Sequence, residues 1–493
     1  MLKKGMLVII IVSIIPACKR SSQNSEQEAL ELETSSWYAD KREIPPFEFD
    51  YHQALTNFPT GEDMRRRLCF DADPNALEEL DPLRRAFCSP TPPSITSLKD
   101  LQKALGLEIP ENLSAGKESN GVVGLSPGFA LTGHSTSLVS RYVSPINPRV
   151  IIFSAPENAS TPDPDFIVMG FVRGDQFVEI ATREPRSGKL NFYLVDFKQD
   201  CNELGHCSNG HLQSSAIENN WTSINIISDK YLTNTVFDCT HCHQPEGVMS
   251  NKFLRMQELE KPWTHFFRDD TKGSELIQEF KEFHGDEESI GGIPAHLIAS
   301  SDPEKLSWLI KANGFADQPN VFSSQSIESE SAVNPGTTWI QGWQNYLNGA
   351  SIPFPSWKTN ILDQTAVVQL KSKWQAWRNG ELALEDLPDL RYAIDDRLGP
   401  TMGTRAPKGI RAKELLQAAC TRCHNDKLDQ TLGKSLFSTN LDRMYSDQIQ
   451  VAIDRIELLK TDPNSPLAMP PRLFMDLTDD EVNLLIEELK RIQ

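Results

Sequence analysis

Two short strings constrain this chain more than anything else in it: C-T-H-C-H at 239–243 and C-T-R-C-H at 420–424. Each sets two sulfurs and an imidazole within five consecutive residues. Each must therefore fold around something that takes all three groups at once. The remaining cysteines sort without remainder. Cys18 ends an apolar leader, Cys69 and Cys88 form one local pair, and Cys201 and Cys207 form another.

Three kinds of chemistry use a C-x-x-C pair. A redox-active dithiol wants a βαβ setting, which the flanking pattern lacks. A structural zinc wants four nitrogen or sulfur ligands, and these two motifs lie far apart in dissimilar contexts. The third is covalent attachment of haem c, for which C-x-x-C-H is the sequence signature. The sulfurs of Cys239 and Cys242, and of Cys420 and Cys423, would add to the porphyrin vinyl groups. His243 and His424 would then sit beneath the two irons as proximal ligands. The expectation is two haem c groups, covalently attached. His241, inside the first motif, is not expected to face the iron.

The N-terminus directs the chain out of the cytoplasm. Lys3 and Lys4 precede an apolar run from Met6 to Ile15, too short to span a bilayer and right for a secretory signal. Ile15-Pro16-Ala17-Cys18 then resembles a bacterial lipobox, which implies Cys18 as a lipidated N-terminus. Pro16 is atypical there, so ordinary signal-peptidase cleavage stays open. The expected location is the bacterial periplasm, on a lipid anchor, and Lys19 after the anchor favours the outer membrane. In that oxidising compartment Cys69 with Cys88, and Cys201 with Cys207, should be disulfides rather than buried free thiols. Closing the first loop adds about 3 kcal/mol by restricting the unfolded chain. The formal net charge of −19 argues against nucleic acid or anionic lipid as partner. The expected partners are redox proteins, basic ones if charge selects them.

The 493 residues read as a multidomain α+β chain. Residues 1–17 are a signal peptide, 18–45 the lipidated cysteine and a flexible tether, and 46–118 a helical N-terminal region. Leu77, Leu80, Leu83 and Phe87 recur there at helical spacing, as do Leu98, Leu101 and Leu105. Residues 119–235 are β-rich, with strands expected at 150–153, 166–172, 177–181 and 190–197, as a meander forming a sandwich or open barrel. Arg173-Gly174-Asp175 could be an adhesion triplet, but a hairpin turn between two strands explains it. Residues 236–330 are the first haem region, mostly helical, with amphipathic stretches at 274–284 and 303–314. Residues 331–405 are a helical connector, with a helix at 363–378.

Residues 406–493 carry the sharpest pattern. A helix former at 408–419 leads into C-T-R-C-H. A helix follows at 446–459, then Leu467-Ala468-Met469-Pro470-Pro471, then a final helix with Thr478 as N-cap and acids in its first turn. This set resembles a class I cytochrome c, over less than a fifth of the chain. The resemblance implies Met469 as distal iron ligand, a coordination that raises the reduction potential. Met469 as a core filler is the alternative, with Met444 and Met475 then the other candidates for the iron.

The first haem has no M-P-P loop downstream. Its sixth ligand is sought among Met249, Met256, His265, His284 and His296. His284 is favoured, because it ends an amphipathic helix at an offset from His243 close to that between His424 and Met469. Bis-imidazole coordination would give this haem the lower potential. The whole then reads as an exported di-haem electron-transfer protein. A di-haem peroxidase-like enzyme is the alternative, with an open first iron and Glu287, Glu288 or His284 as acid/base. A third reading makes the β-rich region a binding module, with His134, Arg141 and Arg149 near its start.

Overall fold

A computed structural model describes residues 59–111, 127–134, 143–154, 165–203, 207–232, 237, 239, 243–244, 250–254, 265–267, 271–316, 362–395, 406–420, 445–462, 467–470 and 475–493. All belong to one compact unit. The signal segment, Cys18, the tether and residues 331–357 lie outside the described residues.

Three short helices come first: α1 (Gly61–Leu68), α2 (Pro82–Phe87) and α3 (Leu98–Ala104). The periodic run expected over 77–87 is split in two. A single 3-10 turn, Leu77–Glu79, precedes α2, because Pro82 lacks the amide to continue a helix and instead starts one. Asp81 caps α2 by accepting from the Leu83 and Arg84 amides. Its other oxygen accepts from the Tyr193 hydroxyl at 2.7 Å, so one carboxylate caps the helix and ties it to the sheet behind. Cys69–Cys88 joins the ends of α1 and α2 across a Cα–Cα distance of 5.6 Å, and Cys201–Cys207 closes a shorter loop.

The centre is an antiparallel sheet of β1 (Gly128–His134), β2 (Arg149–Phe153), β3 (Ile167–Phe171), β4 (Phe177–Arg183), β5 (Leu190–Gln199) and β6 (Trp221–Ser228). These run in sequence order, and β7 (His265–Phe266) is added beside β1. The expected meander is present. The expected second sheet is not found among the described residues, and helices cover the faces instead. The cause is visible in β5. Tyr193, Val195 and Phe197 point to one face and join a core with Val178, Ile180, Leu83, Leu98 and Leu101. Leu190 and Phe192 point to the other and join Ala181, Phe153, Leu306 and Leu309. A strand buried on both faces needs a cover on each.

Helices α4 (Thr271–His284), α5 (Pro303–Ala312) and α6 (Gln364–Arg378) follow. Leu276 and Phe280 of α4, with Ile290, Ile293 and Leu297, cover the first face. Leu306, Leu309 and Ile310 of α5 cover the second. The C-terminal region has its own core, in which Leu415 and Leu416 of α7 (Ala412–Cys420) meet Ile449, Ile453 and Ile456 of α8 (Ser446–Thr461) and Val482, Leu485 and Leu489 of α9 (Asp479–Ile492). Thr478 and Glu481 form a reciprocal capping box at the start of α9. The protein is thus a mixed α+β chain with several cores. Among the described residues no helix is long and apolar enough to cross a membrane.

The Arg173-Gly174-Asp175 triplet turns between β3 and β4, and Arg173 is 1 % exposed. Its guanidinium donates to Glu218 and Glu288, each at 2.7 Å, and to the Ser289 carbonyl at 2.8 Å. An arginine so held is structural, and the triplet presents no adhesion site.

Candidate functional site

Of the first motif, Cys239 and His243 are described; Cys242 and His241 lie outside the described residues. His243 lies on the second face of the sheet. Its ring stacks on Phe192 of β5 with centroids 4.7 Å apart and planes 25° from parallel. Its Nδ1 lies 2.9 Å from the Phe253 carbonyl oxygen, and the Phe253 amide donates back to the His243 carbonyl at 2.9 Å. A carbonyl only accepts, so Nδ1 carries a proton. That is the arrangement a metal-ligating imidazole uses, with the orienting hydrogen bond on the far nitrogen. Cys239 is partly buried where two apolar groups meet, one containing Phe192 and Leu306, the other Phe177, Leu194 and Phe237. Residues of this kind fit a porphyrin edge, so Cys239 and His243 suit a covalently bound haem.

An acid and a base gather around Phe192, on which that imidazole stacks. Asp229 follows β6, is 6 % exposed, and accepts from the Phe192 amide at 3.4 Å. Its Oδ2 also accepts from Lys252 Nζ. Lys252 Nζ lies 5.8 Å from the centroid of the Phe192 ring, the ring on which His243 stacks.

Of the second motif, Cys420 ends α7 and packs against the C-terminal core; Cys423 and His424 lie outside the described residues. Met469 is half-buried, and its amide donates to the Arg455 carbonyl of α8 at 3.2 Å. Met475 is 3 % exposed within the α7–α9 core, as a packing residue. Met444 is outside the described residues. Of Met469 and Met475, the former is the more exposed and the latter is a member of the core.

The expectation for His284 needs correction. The residue ends α4, on the side of the sheet covered by the first face, whereas His243 stacks on the second. The sheet separates them. His284 is 4 % exposed and ringed by Phe280, Phe283 and Trp374. Its Nε2 donates to the Ile146 carbonyl at 2.6 Å. Helical periodicity foretold its burial but not which face of the sheet it would meet. Glu288 is engaged with Arg173, and Glu287 is exposed on the same side as His284. None of the three stands beside His243. His296 is exposed on a 3-10 turn. Met249, Met256 and the His265 side chain lie outside the described residues, as do Arg141 and the His134 side chain. Arg149 is paired with Glu179.

Burial lowers the His284 pKa from 6.5 to about 4, against Glu288 and the Ile146 bond, which act to raise it. The folded protein holds the neutral ring. Its contribution is complete above pH 6.5 and is lost as pH falls toward 4, by about 3 kcal/mol over that window. Asp196, pushed up to about 7 by burial, titrates in the same window with opposite sign, so the difference between proteins is the measure. In urea unfolding, His284→Leu should weaken the acid loss by about that amount and leave the haem spectrum alone. An unchanged pH slope would refute the core assignment.

Sequence reasoning missed Phe192, Phe253, Asp229 and Lys252. The alternation of β5 could have put Phe192 on a buried face. Phe253 meets His243 through a backbone carbonyl, and Asp229 and Lys252 reach Phe192 as a tertiary ion pair, which no spacing rule encodes. No family model matches the chain, and neither a curated protein nor a solved structure gives a significant match.

Proposed function

We propose that this chain is an exported c-type cytochrome that carries two covalent haems and passes electrons between periplasmic redox proteins. The haems would be held by Cys239, Cys242 and His243, and by Cys420, Cys423 and His424, with the C-terminal 406–493 segment as a class I cytochrome c domain. The reading is carried by one observation. His243 of the first C-x-x-C-H keeps its Nδ1 on the Phe253 carbonyl at 2.9 Å, the kind of orienting bond on the far nitrogen that a metal-ligating imidazole uses. Bound haem supplies the one-electron couple. The chain's own work is to attach the group, orient the imidazole and exclude water with the apolar walls of Phe192, Leu194 and Phe177. In the second unit Met469, half-buried and anchored through its amide to α8, would complete an axial pair with His424 and favour the reduced iron. The leader and Cys18 fit export and a lipid anchor, with the outer membrane favoured.

Two of the three acid/base candidates of the peroxidase-like alternative are engaged elsewhere, since Glu288 is tied to Arg173 and His284 is in a core. Expression in a bacterium able to attach haem c, followed by denaturation, should leave two haems per chain bound to the polypeptide. Carbon monoxide should bind slowly or not at all at the Met469 haem. A colourless denatured chain sinks the reading, and rapid peroxide turnover at an open iron replaces the relay with an enzyme.

A further inference from the structure

Resting on that reading, we propose that Asp229, Lys252 and Phe192 set the reduction potential of the first haem by fixing the charge and plane of the His243 imidazole. The contacts form a closed ring. His243 bonds through Nδ1 to the Phe253 carbonyl and receives the Phe253 amide in return. Phe253 follows Lys252 in the chain. Lys252 pairs with Asp229 and lies over the Phe192 face. Asp229 accepts the Phe192 amide, and Phe192 closes the ring by stacking on His243.

The ring also holds two opposite charges beside Phe192, the side chain on which His243 stacks. The lysine side chain is 23 % exposed and the aspartate 8 %, so neither is fully screened by water. At about 10 Å, in an effective dielectric of about 20, one uncompensated unit charge changes the reduced-to-oxidised ratio by on the order of tenfold. While paired, the two nearly cancel. Separated, they act in opposite directions: a lone cation stabilises the reduced iron and a lone carboxylate the oxidised one. Asp229, Lys252 and Phe192 are positioning residues, since none would touch the iron.

The test uses the full exported chain and its second haem as an internal reference. Covalent haem is counted first in every protein, and a redox titration follows. Asp229→Asn should raise the first potential and Lys252→Gln should lower it, each by on the order of a tenfold change in the ratio at fixed ambient potential. The double variant should return near the parent, and Lys252→Arg, which keeps the charge, should barely move it. The Met469 haem should not shift in any of them. If Lys252→Gln fails to accumulate, Asp229→Asn against Lys252→Arg still carries the comparison. Shifts of the same sign, or none, with two haems present overturn this proposal alone. Absence of covalent haem in the parent overturns the reading beneath it.

Discussion

Replacing Cys239 and Cys242 together by serine should leave half of the covalently bound haem, and replacing Cys420 and Cys423 should remove the other half. Serine oxygen does not form the thioether, so any porphyrin still gripped by histidine alone leaves when the chain unfolds. The two variants are expected to differ in what remains. With the first motif lost, the surviving haem is the one ascribed to His424 and Met469, and its potential should be the higher of the two. Met469→Ala in that background should lower it and open the iron to carbon monoxide. With the second motif lost, the remaining haem should report only the His243 environment, including its response to Asp229 and Lys252. Haem counting on denatured protein, then potentiometry, reads both. Loss of all haem from either variant would mean that the motifs do not act independently. Retention of two would mean that a different residue attaches the porphyrin.

That independence follows from how differently the two sites are built. The C-terminal unit is local. A helix ending at Cys420 and two further helices share one core, the Met469 amide bonds to α8, and each element announces itself in sequence through periodicity, capping or a proline pair. The first site draws its walls from strands and turns scattered over residues 177 to 254. Its C-x-x-C-H motif was legible because the proposed covalent chemistry would fix the spacing of Cys239, Cys242 and His243. Its surroundings were not, because Phe192 reaches His243 only once β5 has registered against β4 and β6.

The same distinction separates the strands that were legible from those that were not. The pair around the turn at 173–176 showed itself through dense β-branched and aromatic residues on both sides of a Gly-Asp turn. β1, Gly128–His134, contains two glycines and one threonine in seven residues, and nothing local marks it as a strand. It becomes one through pairing with β2 and β7. His284 failed for a related reason. Amphipathic spacing gives the buried side of a helix, but the sheet decides whether that side meets the face on which His243 stacks or the opposite core.

Arg173→Met should destabilise the protein by about 3–5 kcal/mol, the usual consequence of removing one partner from a buried ion pair. Arg173 is buried, and its guanidinium is shared between Glu218 and Glu288. Without it, two carboxylates lie close together with little water, and the Ser289 carbonyl loses its donor. Glu218 also accepts from the Gly291 amide at 3.0 Å. The triad therefore fastens the β3–β4 turn to the segment whose Ile290 and Ile293 cover the first face of the sheet. Arg173→Lys should recover only part of the loss, since one ammonium cannot span two carboxylates and a carbonyl in the guanidinium's fork geometry. Urea unfolding of the haem-loaded protein at neutral pH measures both. The triad lies across the sheet from His243, so the first haem's potential should change little in whatever fraction folds. A loss under about 1 kcal/mol for Arg173→Met, the range of exposed pairs, would mean that water reaches the triad and that the turn is held by its strands alone.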